Sequence, residues 1–163
     1  AQWFHNGPAD SKGNPIKSSA HYCVDSDTIV QCVQCRDVAF GAKGFNRLGI
    51  QIEFAGRASQ TREQWLDVYS LRMMQLFIRL YHEVLNPKYH IQAHWLSDIA
   101  IRRIESGHTH DLTGFCTHGD ITRALSVPGG HTDPGPNFPR MRFLWELQNW
   151  QSGKNTGPDT GPR

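Results

Sequence analysis

The sequence has no window of 18 or more apolar residues, and Ala1 is followed by neither a basic stretch nor an apolar leader. Within these residues neither a membrane-spanning helix nor a secretory signal is expected. A block of like charge is missing too: 17 Lys and Arg are scattered among 15 Asp and Glu, for a net charge of +2. Without a basic run there is no footprint for nucleic acid, and neither a nucleic-acid nor a membrane partner is expected. No internal repeat is visible.

Cysteine is scarce. Cys32-Val-Gln-Cys35 has the spacing of half a zinc ribbon, but Cys23 and Cys116 do not supply the other half. In the apolar stretch TIVQCVQC, residues three apart point to opposite faces of a strand, which suits two small buried hydrophobes better than one metal. The metalloprotease signature HExxH is also absent: His90 and His94 stand four apart with no glutamate between them, so both are read as solvated. His82, His108 and His110 lack any supporting neighbour.

What is present fits one domain with a core that needs no disulfides: 163 residues in all, with residues 1–150 as the domain. Residues 151–163, QSGKNTGPDTGPR, are rich in Gly, Pro and polar side chains and read as a flexible linker or tail. Near the start, WFHN (3–6) reads as the end of a strand, and its position suggests a module excised from a longer protein. SAHYCVD and TIVQCVQC, joined through Asp25-Ser26-Asp27, predict a β-hairpin. In GIQIEFAG the residues Ile50, Ile52 and Phe54 alternate with Gln51 and Glu53 as in a strand.

From Thr61 to Leu85 the period lengthens: Trp65, Tyr69, Met73, Leu76, Leu80 and Val84 predict one long amphipathic helix, stopped by Asn86-Pro87 and packed on a sheet. A second helix is expected over 94–105, ended by Gly107, and a third over 140–150. GFCTHGD, between them, reads as a short strand with His118 at its end. Strands interleaved with helices give an α/β fold, a central mixed β-sheet flanked by helices.

Nine histidines invite a search for a metal or proton-transfer site. Catalytic zinc needs three protein ligands and an open fourth position, drawn from rigid supports. His5 and His118 each end an apolar run. In GGHTDPGPNFP (129–139), His131 and Asp133 are two residues apart, hence on the same side of an extended chain, and Pro134, Gly135, Pro136 and Pro139 stiffen the backbone beyond them. Glu53 is a charge inside the otherwise apolar IQIEF, a position that is either a solvent-facing strand residue or a functional one.

Four ordered stretches, SSAHYCVDSDTIVQCVQCRDVAF, NRLGIQIEFAG, THGDI and HTDPGPNFP, resemble motifs of the zinc-dependent N-acetylmuramoyl-L-alanine amidases of the amidase_2 family, related to the peptidoglycan-recognition proteins and common in phage endolysins. The resemblance runs over about residues 3 to 145. It implies His5, His118 and Asp133 as ligands of Zn2+ and Glu53 as the residue that orients and deprotonates water. His131 falls where the family usually carries lysine, as donor to the oxyanion. Phe40 and Gly41 depart from the family's Trp and His, the latter a substrate contact.

The implied activity is hydrolysis of the amide between N-acetylmuramic acid and L-alanine in peptidoglycan, by a monomer fused to other lysin domains and acting on the bacterial cell wall. Two alternatives stand beside it. One is a peptidoglycan-binding module of the same fold without turnover; the other is a structural zinc closed by His5, His118, His131 and Asp133.

Overall fold

The computed structural model describes Gly13, residues 18–109 and residues 111–151. The expected first strand with His5, His110 and the tail beyond Gln151 lie outside the described residues.

Strands β1 (Tyr22–Val24), β2 (Ile29–Gln31) and β3 (Ile52–Phe54) form one mixed sheet in the order β2-β1-β3. The predicted hairpin is present, with Tyr22 opposite Gln31 and Val24 opposite Ile29. Its turn closes on an aspartate: the backbone N–H groups of Asp27 and Thr28 donate to Asp25 Oδ1 at 3.0 and 2.8 Å. β3 runs parallel to β1, with Tyr22 beside Ile52, Cys23 beside Glu53 and Val24 beside Phe54. Because side chains alternate along a strand, Tyr22, Val24, Ile52 and Phe54 share the face that joins the main core, while Cys23 and Glu53 share the other. Buried His21 fixes the entry to β3: its Nδ1 accepts from Gln51 N–H at 2.8 Å and its Nε2–H donates to the Asp37 carbonyl at 3.0 Å.

The expected single helix is instead several pieces: α1 (Arg62–Trp65), α2 (Val68–Leu80), a wide π turn (Tyr81–Leu85) and α3 (Asn86–Tyr89). Two local caps break the run. Thr61 and Gln64 form a capping box for α1, and Asp67 accepts from Ser70 N–H at 2.7 Å to start α2 afresh. Nor does Asn86-Pro87 stop the chain's helical course. Pro87 sits in the first turn of α3, where a missing N–H costs nothing, and the left-handed His90 ends the run. The apolar stripe is offset from the expected one: Leu71, Met73, Met74, Phe77, Ile78 and Tyr81 are buried, whereas Tyr69 and Val84 are exposed.

Helix α4 spans Asp98–Glu105, shorter than expected because Ser97 caps it and Trp95 is engaged in a parallel bridge to Phe115. Gly107, at φ +72°, closes it as expected. His118 does not end a strand: it is the first residue of helix α5 (His118–Leu125), and only Phe115 of the expected strand is bridged. Helix α6 (Arg140–Gln148) lies over the same core, with Phe143 and Leu147 buried. His82, which showed no partner in the sequence, bonds the Leu147 carbonyl at 2.7 Å and stacks on Trp150, tying the π turn to α6. No helix among the described residues is long and apolar enough to cross a membrane.

The cysteines are not the buried pair expected. All four are free; Cys32 is exposed and Cys35 half-buried, because β2 ends at Gln31 and the chain turns away before Cys35.

Candidate metal centre

Three elements converge: the start of α5, the 131–138 loop and the centre of β3. Thr117 caps α5 by accepting from Asp120 N–H, and Asp120 Oδ2 accepts from Thr117 N–H, both at 3.0 Å. That reciprocal cap sets the first turn and hence the direction of His118. Asp120 is also the anchor of a charged network, with its side chain 2% exposed. Arg140 reaches both of its oxygens, and Arg123 Nη2 meets Oδ1 at 2.9 Å. Burial pushes the Asp120 carboxyl up, but the bonds from Arg140 and Thr117 outweigh it and hold it below the ordinary range. Through Asp120, Arg140 binds α5 to the root of α6, and its guanidinium also lies over the Trp95 ring at 4.3 Å.

The 131–138 loop is pinned on both sides. Gly119 N–H donates to the Asp133 carbonyl at 3.1 Å, and a Cβ at Gly119 would stand 3.2 Å from Thr132 O, a tight contact that would push the loop a few tenths of an ångström from the helix. Gly135, at φ +95°, would carry a Cβ 2.0 Å from the Ala58 carbonyl oxygen. Asn137 Nδ2 donates to the Gln60 carbonyl at 3.0 Å. The loop is thus wedged between α5 and the segment that leaves β3, and the Asp133–Pro134 peptide is cis.

This wedge presents His131 and Asp133 together, as their two-residue spacing predicts, and adds His118. His118 Nδ1–H donates to Asp133 Oδ2 at 3.2 Å, His131 Nδ1 lies 3.7 Å from Asp133 Oδ1, and the two imidazoles stack at 4.0 Å. The bond from His118 keeps the Asp133 carboxyl below its ordinary range against the effect of partial burial. Candidate ligand atoms of His118, His131 and Asp133 all lie within 4.8 Å of one another. Two nitrogens and a carboxylate oxygen match the donor preference of zinc, and each imidazole nitrogen lies 3.2 to 3.7 Å from an Asp133 oxygen, near the roughly 3.3 Å that separates ligands about 2.0 to 2.1 Å from a tetrahedral ion. The residues therefore fit a zinc ion. His5, the remaining expected ligand, lies outside the described residues.

Glu53 lines the same cavity as His118 and Asp133, a space of about 530 Å³ beside β3. Although Glu53 stays open to solvent, crowding strips water from its carboxylate, and with the like charge of Asp133 this raises its pKa above the ordinary value. Gly41 also lines the cavity, and a Cβ there would come 3.0 to 3.2 Å from the Gln51 side chain. Gln51 therefore occupies the space beside Gly41, and Phe40 is exposed.

Of the candidates named from the sequence, His118, His131 and Asp133 come together and Glu53 lies on the cavity that His118 and Asp133 line; Asp120 and Arg140 were not singled out. The signal for Asp120 was present as Thr117-x-x-Asp120, a capping-box spacing.

The family model described as Amidase_2, N-acetylmuramoyl-L-alanine amidase, matches residues 1–136. No curated protein and no solved structure matches the chain.

Proposed function

The chain belongs to the N-acetylmuramoyl-L-alanine amidase family, and from that premise we propose that it is a zinc-dependent hydrolase of the amide joining N-acetylmuramic acid to L-alanine in peptidoglycan, of the kind phage endolysins carry. The observation that carries the reading is the cluster of His118, His131 and Asp133, two members of which, His118 and Asp133, line a cavity shared with a carboxylate, Glu53, whose pKa is raised.

His118 and Asp133 would hold the zinc ion, with His5 as the third ligand that the family resemblance implies. When bound, the ion supplies Lewis-acid polarisation of the scissile carbonyl and lowers the pKa of water towards about 7. Glu53 takes the proton of the attacking water and returns it to the departing L-alanine nitrogen; its raised pKa brings it nearer the value at which accepting and returning a proton are both easy. His131 donates to the oxygen that gains charge as water adds to the carbonyl, a contribution typically worth about 3 to 4 kcal/mol in the barrier. Water is thereby added across the amide, leaving a lactyl carboxylate and a free amine.

The same cluster favours one other arrangement, with His131 as a ligand, because its Nδ1 lies 3.7 Å from Asp133 Oδ1. A binding module of the same fold would hold wall peptides and release no amine. Digestion of purified peptidoglycan, with free amine measured before chelation, after it and after zinc return, tests the reading. Activity should vanish with the metal and return with it. Turnover that survives complete zinc removal, or none at any stage, overturns it.

A further inference from the structure

Away from the metal centre, the hairpin carries three of the four cysteines, and their directions differ. Cys23 projects from β1 on the face opposite Tyr22, and Cys32 comes directly after β2. Their Sγ atoms are 3.6 Å apart, in van der Waals contact, so each thiol already points at the other. Cys35 instead donates to Tyr22 Oη at 3.5 Å on the opposite face, and it therefore does not compete for Cys32 despite the two-residue spacing between them.

We propose that Cys23 and Cys32 are a reversible oxidation site that closes to a disulfide across the β1–β2 hairpin when the protein meets a peroxide. Bonding requires the sulfurs to close to about 2.05 Å, a movement of the order that side-chain rotation supplies without separating the strands. Cys32, the exposed member, meets the oxidant first. Its sulfur attacks one oxygen of hydrogen peroxide, giving Cys32 sulfenic acid and one water. Cys23 then attacks that sulfur, the S–S bond forms, and the displaced hydroxyl leaves as a second water with the Cys23 proton. Two electrons pass from the two sulfurs to the peroxide, and both thiol protons end in water.

Position fits Cys23 to the second step, since its Sγ is already 3.6 Å from that of Cys32. Burial, with the neighbouring Cys32 thiol, pushes its pKa up to about 11, which spares it direct oxidation, and its proton leaves with the departing hydroxyl as it attacks. Cys116 is excluded by burial, which pushes its thiol up to about 12. The clamp would lie on the strand next to Glu53, since Cys23 and Glu53 are register partners. It therefore fixes the hairpin that supports β3 without touching the metal ligands.

The test treats the full chain with stoichiometric hydrogen peroxide, blocks remaining thiols and cleaves before Asp25 and Asp27, which separates Cys23 from Cys32 and Cys35. The expected product is a pair of peptides joined through Cys23 and Cys32, formed equally well in Cys35→Ser, absent in Cys23→Ser and Cys32→Ser, and reopened by dithiothreitol. Closing a loop of this length should raise Tm by roughly 5 to 10 °C over the reduced form. Three free thiols in the hairpin after treatment, or a disulfide between Cys32 and Cys35, would overturn the proposal. Neither outcome bears on the metal centre, so the amidase reading stands or falls separately.

Discussion

Replacing Asp120 with Asn removes one negative charge and leaves almost the same volume. The carboxylate it replaces is 2% exposed, accepts from Arg140 at both oxygens, from Arg123 Nη2 at 2.9 Å and from Thr117 N–H at 3.0 Å. An amide can still accept at one oxygen, but its NH2 then faces a guanidinium. Breaking a buried ion pair from one side costs about 3 to 5 kcal/mol. The Arg140 side chain is 37% exposed, so water takes up part of its unpaired charge and the lower end applies, about 3 kcal/mol. For a chain of this size each kcal/mol moves Tm by about 2 to 4 °C, so Asp120→Asn should melt about 6 to 12 °C below the parent, read by circular dichroism at 222 nm. Asp98→Asn is the internal control: it breaks the exposed Asp98–Arg123 pair and should leave Tm unchanged. A double variant, Asp120→Leu with Arg140→Met, should recover most of the loss, since a packed apolar pair costs no desolvation of charge. If Asp120→Asn melts within about 2 °C of the parent, the buried network is not what holds α5 to α6, and the account of how His118 is aimed fails with it.

The site itself supports three more expected outcomes. Glu53→Ala should abolish release of free amine from peptidoglycan while elemental analysis still finds stoichiometric zinc; loss of the metal would make Glu53 a ligand. His131→Ala should cost roughly 100- to 1000-fold in kcat with zinc retained, as loss of one oxyanion donor does, and His131→Lys should keep or raise activity; zinc loss in His131→Ala would establish the ligand role instead. Gly135→Ala should lower Tm by several degrees, because its Cβ would stand 2.0 Å from the Ala58 oxygen at a backbone φ of +95°; an unchanged melting curve would show that the loop is not wedged against the segment after β3.

Legibility in the sequence tracked the range of the interactions involved. The hairpin was readable because its turn is closed by Asp25 within three residues, and β3 because alternation of Ile52 and Phe54 with Glu53 is a property of the strand alone. His131 and Asp133 were readable as a pair for the same reason, since two-residue spacing sets their common side wherever the loop lies. The long helix failed where periodicity was trusted over capping. Thr61-x-x-Gln64 and Asp67-x-x-Ser70 both signal starts, and a second start six residues after the first means a break. His118 was misplaced in the same manner: Thr117-x-x-Asp120 is a helix start, yet the apolar GFC before it suggested a strand.

What no local pattern could supply is the joint position of α5, the 131–138 loop and β3. That position depends on contacts such as Arg140 with Asp120, 20 residues apart, and Asn137 with Gln60, 77 apart. Two glycines mark where the pieces meet, Gly119 against Thr132 and Gly135 against Ala58, and both meetings are with backbone atoms. Their neighbours along the chain gave no sign of this: Gly135, between Pro134 and Pro136, reads first as a turn, and Gly119 follows His118 inside a helix start. The candidate residues were therefore legible as residue types, and their common position only as the consequence of two close backbone approaches, one tight at Gly119 and one at Gly135 that leaves no room for a Cβ.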